Sequence, residues 1–581
     1  MNKFKISLLL VAFATATFAQ KTIPESAAFA LDGNIETLKV AAGGILLVGT
    51  SKGLTAIEAH KNTPIYDYNA LGKINPTEMS IMDNLPYAVL TRGYSKVILN
   101  YFTGIEVFTP AKNDMAAVFS VHPDFSNQKI YMLGSNKLGY CFGVFDMNTL
   151  QNEGMINFSD KRTMGAYIDV TKYYESDGKL FVRTEKGIVC IDKKSFKIDW
   201  AYSDLEKTFP YIKVLADAAN GLYFVTESDI NKSYLHKIDP AGNRTTQKPV
   251  KLEANTHEMT FTSNGLLLRM MDTKNSYFQM YNTQTAASIW EKPTDIKGSI
   301  FQTIKTDTYY VYASNDGLIN SLDLATGKTQ LKKEIKTGAW FKNVILLEND
   351  LLFYITSTNM GIANLKTGEY EKEPVKFKKA TNLITAFDAK NDRFVVSSGT
   401  ELFFISKDGT ATKILDLDFK EDETPTKIEF RTSGILIGAK QTNILIDYNG
   451  KQIYESYYKA PGQSLAAKIA LGALTVALAQ QSVGQNMAGN NKDANQSAGA
   501  ASGMAGEFSK KFSATKETKD FLYVLTKLEE GVGLVKLNKD TGEKLAELLL
   551  KDKKPEYEVD ELFGVLYFKK DKKEIVSFDL R

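Results

Sequence analysis

Short runs in which hydrophobic and polar residues alternate fill most of this chain, and Gly, Asn, Asp and Ser punctuate them. Alternation with period two predicts strands, and the punctuation predicts tight turns between them. The stretch Gly317-Leu-Ile-Asn-Ser-Leu-Asp-Leu-Ala-Thr-Gly-Lys-Thr-Gln-Leu331 shows the unit: a strand, a turn opened by Asp323 and bent at Gly327, and a second strand. Asp323 can accept backbone N–H groups, and Gly327 permits the positive φ that the connection needs.

The polar residue that opens this turn recurs as Glu58, Asn100, Asp146, Asp192, Asp239, Asn282, Asp323, Asn364, Ser406, Asp447, Asn538 and Asp579, in steps of 41 to 47 residues with one step of 91. Strand patterning at that period is the signature of a four-stranded propeller blade. Between Asn282 and Asp323 the strands are predicted at Ala286–Trp290, Ser299–Thr303, Tyr309–Ala313 and Leu318–Leu322. The long step is one ordinary repeat plus an insertion over residues 460–511, rich in Ala and Leu from Ser464 to Ala479 and in Gly, Asn, Ser and Gln from Gln485 to Gly506. That composition predicts a helix lying on a propeller face with a flexible return, in preference to a membrane-inserting or partner-binding helix; Ser464–Ala479, interrupted by Lys468, is too short to cross a bilayer.

The expected fold is all-β, a propeller of about twelve four-stranded blades. Because single rings usually stop at about eight blades, two packed propellers are expected, at residues 20–296 and 297–581. Six blades plus six, parting near Ile296–Gly298, and seven plus five both fit the period. An apolar strand, Ser26–Leu31, precedes the first module, and the last module stops one strand short after Asp579. The N-terminal strand is therefore expected to complete the C-terminal blade, which hides two sheet edges and closes the ring that contains the N-terminus.

The turn Asp323-Leu-Ala-Thr-Gly-Lys328, its counterpart Asn538-Lys-Asp-Thr-Gly-Glu543, and the eight-residue spacing from Asp192 to Trp200 and from Asn282 to Trp290 resemble the repeat of quinoprotein-dehydrogenase-like (PQQ-like) propellers. That resemblance implies that each Trp docks on the turn of a neighbouring blade. Tyr66, Phe108 and Leu331 hold the same place in other modules. A catalytic member would carry adjacent cysteines over the quinone; no such pair occurs, so the resemblance points to the non-enzymatic branch, with no cofactor.

Composition narrows the picture further. The 71 basic and 68 acidic residues leave +3, which gives no electrostatic case for nucleic acid. Lys3, Lys5, the apolar run from Ile6 to Phe13 and the exit Thr17-Phe18-Ala19 read as a signal peptide over residues 1–19. An exported bacterial protein, periplasmic or extracellular and without a transmembrane helix, is expected. Cys141 and Cys190 fall on opposite strand parity and are expected as buried thiols.

Candidate chemistry is sparse. His60, His122, His236 and His257 are far apart in sequence, with no zinc-type spacing, and His236 is expected as a packed strand residue. The acidic run Asp416-Leu-Asp-Phe-Lys-Glu-Asp-Glu423 lacks a calcium-loop pattern and is expected as a solvated link. No catalytic, cofactor-binding or metal-binding residue is assigned. The expected function is a non-catalytic scaffold or adaptor that binds a protein or polysaccharide on a propeller face. The alternatives are an enzyme with its site in a propeller mouth, quinoprotein-like or hydrolytic, and a carbohydrate-binding protein.

Overall fold

The computed structural model describes residues 22–157, 173–176, 178–183, 187–202, 211–217, 221–229, 232–246, 248–377, 382–461 and 516–581. The predicted leader at 1–19 lies outside these residues, as does the predicted insertion at 460–511 beyond its first two residues. The described chain forms twelve antiparallel sheets. Numbered from the first complete module they are blade 1 (35–68), 2 (79–108), 3 (117–157), 4 (173–202), 5 (211–251), 6 (255–297), 7 (300–336), 8 (341–376), 9 (384–416), 10 (427–457), 11 (516–549) and 12 (557–579). Blade 12 takes its fourth strand from Glu25–Ala30, which pairs with Glu574–Asp579. The predicted exchange between the termini is therefore present. Phe29 of this strand is buried with Val565, Tyr567 and Ile575.

Each blade is built as its sequence repeat requires. The marker side chain accepts the N–H groups two or three residues ahead, as Asp323 does from Thr326 at 2.7 Å and Asn538 from Asp540 and Thr541 at 2.8 and 3.1 Å. In seven blades the backbone turns to positive φ four residues past the marker, at Gly104, Gly327, Gly368 and Gly542 among others, and in blades 5, 9 and 10 three residues past it, at Gly242, Gly409 and Gly450. Leu150, Phe196 and Ala286 adopt the same conformation, at φ 55, 49 and 57°, each donating its N–H to the marker carbonyl at 2.9 Å. The turn is thus fixed by hydrogen bonds that override the usual preference for glycine.

The docking residues fit these turns. The Trp290 indole donates to the carbonyl of Leu324 at 3.3 Å, and Trp200 to that of Pro240 at 3.1 Å. The hydroxyls of Tyr66 and Tyr454 reach the carbonyls of Tyr101 and Lys539 at 3.0 and 2.8 Å. In all four the acceptor directly follows the marker of the next blade. Trp290 leaves the ladder to do this, so the outer strand of blade 6 is Thr294–Lys297, not the predicted Ala286–Trp290. The other three predicted strands appear as Ile300–Lys305, Tyr309–Ser314 and Leu318–Asp323.

Blades pack on their sequence neighbours. Two separately closed rings would need a break near residue 296, yet Leu267, Phe278, Met280 and Trp290 of blade 6 pack there with Tyr310, Tyr312 and Leu322 of blade 7. Blade 12 packs on blade 1 through Phe29, Val565 and Tyr567 against Leu38, Leu46, Val48 and Ile57. The described blades form one continuous circuit of twelve. Closure of a ring depends on side chains between adjacent sheets, and these interfaces are filled whether or not the centre is, so a limit based on the centre does not decide the count.

Candidate interface on the link face

The first strand of each blade lies on the inside of the circuit, as shown by contacts between the first strands of successive blades, Ile384–Asp388 with Lys427–Phe430 for example. Antiparallel order then places the second-to-third-strand turns and the links between blades on one face, and the marker turns on the other. The first of these, the link face, carries the more specific chemistry.

Five inner strands share one irregularity near their link-face end. Register shifts between Ile35 and Thr37, Val118 and Ser120, Thr256 and Glu258, Ile300 and Gln302, and Phe341 and Asn343 leave one residue in each without a ladder partner. These residues are Glu36, Phe119, His257, Phe301 and Lys342. A bulge interrupts the alternation of the strand and turns the extra side chain out of the blade-to-blade packing. Phe301 is exposed although it adjoins a core strand, and its ring stacks on that of buried Phe341 with centroids 6.2 Å apart and planes inclined by 28°.

Around two of these bulges the face is aromatic. Phe119 meets Tyr94 edge-on at 5.8 Å and Tyr140 at 6.0 Å. Tyr94 is 74 % exposed and Leu138, in the next turn, 65 %. The turn bearing Tyr94 is held from both sides: its carbonyl accepts the Val118 N–H at 2.8 Å, while Arg92 pairs with Glu78 and donates to the Leu71 carbonyl at 3.1 Å. The Asn75 N–H at 2.7 Å, together with Arg92, keeps the Glu78 carboxyl below its ordinary range. On blade 8, Trp340 is 73 % exposed on an anchored link: its carbonyl accepts the Ser357 N–H at 3.0 Å, and the nearby Thr337 hydroxyl donates to Gly317 at 2.9 Å. Large apolar side chains on rigid, hydrogen-bonded turns are what a contact surface needs, because little ordering is left to be done on binding.

Of the residues singled out in the sequence, His257 is one of the bulged five and the acidic run 416–423 is a link on this face; the others lie elsewhere. His236 is buried, stacked on Phe224 at 4.5 Å, with Nε2 2.9 Å from the Thr226 hydroxyl. His60 sits against the Phe563 carbonyl at 2.8 Å. Cys141 faces blade 2 and Cys190 faces blade 5, and no disulfide joins them. Burial pushes the Cys190 thiol up to about 12. In the acidic run, Glu423 is not a solvated residue: its carboxylate accepts the N–H groups of Gln441 and Thr442, both at 3.0 Å, and the Thr442 hydroxyl at 2.9 Å. Among the described residues no three His, Cys, Asp or Glu gather where they could hold a metal ion, and no helix is long and apolar enough to cross a membrane. The bulges escaped the sequence reading because an extra residue inside a strand leaves its composition unchanged.

No protein-family model matches the chain, and no characterised protein matches it in sequence. Similar solved structures include the computationally designed Ika8 protein, at 10 % identity with TM-score 0.25, covering 69 % of this chain and 100 % of that one. BamB from Moraxella catarrhalis is similar at 16 % identity with TM-score 0.26, covering 58 % of this chain and 95 % of its own. The quinohemoprotein alcohol dehydrogenase ADHIIG from Pseudomonas putida is similar at 9 % identity with TM-score 0.26, covering 64 % of this chain and 80 % of its own.

Proposed function

We propose that the protein is an exported scaffold of the non-enzymatic, quinoprotein-like kind, and that it binds a protein partner across the link face. The observation that carries this reading is the bulge shared by five inner strands, which turns Phe119 and Phe301 out beside the exposed Tyr94, Leu138 and Trp340. The bulged residues are chemically mixed: one carboxylate, one imidazole, one ammonium and two phenyl rings. Spaced one to a blade, they suit contact with a macromolecule over a broad area better than a converging set of reacting groups.

The test is site-specific photo-cross-linking in the native host, with the cross-linking residue placed at Leu138 or Trp340 on the link face and at Leu562 on the opposite face, itself 84 % exposed. Adducts of one defined mass at Leu138 and Trp340, absent at Leu562, are expected. Adducts at Leu562 alone would move the interface to the marker-turn face, and none at any site would remove the scaffold reading.

A further inference from the structure

Eleven of the twelve blade interfaces are filled by buried apolar side chains from both blades. The interface between blades 10 and 11 is built differently. Its buried apolar cluster, Leu522, Val524, Leu528, Val535 and Leu537, belongs to blade 11 and is met from the blade 10 side by Tyr458.

Beside the buried Leu436 and Leu445, which are register partners on the same face, blade 10 presents Lys427, Glu429 and Arg431, alternate residues in and just past its inner strand. Arg431, whose side chain is 8 % exposed, binds Glu429 at 2.7 Å, Asp520 at 3.1 Å and Asp540 at 2.7 Å. Lys539, with 3 % exposed, binds Glu429 at 2.9 Å and Glu517 at 3.2 Å. Lys427 pairs with Glu517 and lies 3.6 Å from Glu429, and the Ser433 hydroxyl donates to Asp540 at 2.7 Å. Lys427, Glu429 and Arg431 sum to +1; Glu517, Asp520, Lys539 and Asp540 sum to −2. The two charged faces are complementary and attract each other.

A polar row adjoins this network. Lys427, Gly438, Asn443 and Ser456 are register partners across the four strands of blade 10, so their positions share the face turned to blade 11. A Cβ on Gly438 would lie 2.5 Å from Lys427 Cε and 3.0 Å from Asn443 Oδ1, which shows how closely the row is packed. Asn443 is 1 % exposed, yet neither atom of its amide has a hydrogen-bond partner, and nor does the buried hydroxyl of Ser456.

These features all weaken one interface. A buried ionic network does not match well-packed apolar side chains in net stabilisation, because desolvation offsets the attraction. Buried polar atoms without partners are relieved when water reaches them. Blades 10 and 11 are joined through residues 458–515, whereas the other links between blades are shorter. On the far side of blade 11 the chain is stapled: the Ile23 N–H donates to the Glu547 carbonyl at 2.9 Å, tying blade 11 to the segment that completes blade 12.

We infer that the interface between blades 10 and 11 is the joint at which the circuit opens reversibly while the other eleven interfaces stay closed. Raising the ionic strength screens the attraction between the two charged faces and shifts this joint toward its open form.

The native thiols supply the controls, since Cys141 and Cys190 are buried at the apolar interfaces between blades 2 and 3 and between blades 4 and 5. A third thiol is placed in the joint by Asn443→Cys, with Ser456→Cys as the second variant in case the first does not fold. Modification by a small thiol reagent is followed by mass spectrometry on the folded, full-length protein, and each rate is divided by that of the same thiol in denatured protein. The thiol in the joint is expected to be at least about ten-fold less protected than the native pair, and its protection to fall between about 0.05 and 1 M salt while theirs does not. Equal protection at all three thiols, or protection in the joint that ignores salt, would overturn the inference.

Discussion

Trp290 closes directly over Gly327: a Cβ added to that glycine would lie 2.5 Å from Cδ2 of the indole. The turn of blade 7 is therefore shaped by blade 6, and the two residues act as one contact. Gly327 also holds φ at 72°, where a side chain is strained whatever the space. Trp290→Ala is expected to cost about 3–5 kcal/mol, and Gly327→Ala about 1–3 kcal/mol. In the double variant the losses should be less than additive, measured as denaturant midpoints. Trp200→Ala should cost less than Trp290→Ala, because Trp200 is only half-buried.

Phe29 gives the strand exchange a single-residue test. It lies in the first described strand yet is buried against blade 12 and blade 1. Phe29→Ala is expected to destabilise by about 3–5 kcal/mol, as a core phenylalanine does. A thermal midpoint equal to that of the parent protein would show that the N-terminal strand is not part of the sheet in solution.

Glu423 is held by three donors, two of them backbone N–H groups of the buried Gln441 and Thr442, which lose their acceptor when the side chain is shortened. Glu423→Ala should cost about 1–3 kcal/mol. Because this carboxylate is already engaged, calcium should leave the thermal midpoint unchanged; a rise of several degrees on adding calcium would contradict the assignment.

The joint between blades 10 and 11 has a pH signature. Burial, with the nearby Lys539 charge, pushes the Lys427 ammonium down to about 8, despite the facing carboxylates of Glu517 and Glu429; Arg431 adds to the effect. From pH 8 upward the unfolded chain, with an ordinary lysine near about 10.4, holds a proton that the folded chain has lost, so stability rises with pH. A gain of about 1 kcal/mol between about pH 8 and 9.5 is expected by urea titration, and Lys427→Met should abolish it. Asp540 and Glu429 act oppositely: their carboxyls are held below the ordinary range, and the stability they supply is lost as pH falls through the acid region below about 4.

The blade was legible because its turn needs particular residues: a polar acceptor at Asp323 and a positive-φ position at Gly327 recur, and both follow from local hydrogen bonding. The strand exchange was legible from counting alone, since Ser26–Leu31 is apolar and Asp579 ends a three-stranded remainder. Leu150, Phe196 and Ala286 hide the same turn behind side chains that do not favour it. The candidate interface was not legible: nothing in Ala117-Val-Phe-Ser-Val121 marks Phe119 as the bulged residue, because the irregularity is set by its partner strand. The charged joint left a trace in Lys427, Glu429 and Arg431, at alternate positions in and just past one strand. Their partners Asp520 and Asp540, however, lie 89 and 109 residues further on, where no local pattern connects them.

The pairing of Glu25–Ala30 with Glu574–Asp579 sets a timetable for biogenesis. A ribosome makes Glu574–Asp579 long after Glu25–Ala30, so the nascent chain carries Phe29 without a permanent place until the later strand has emerged. Earlier blades can dock on one another as they appear, but this fastening waits for blade 12. A chain that stops before Glu574 would carry Glu25–Ala30 as a lone unpaired strand and blade 12 as two strands, each a target for a chaperone or a protease. Pairing of the two strands thereby becomes a check that synthesis has passed Asp579.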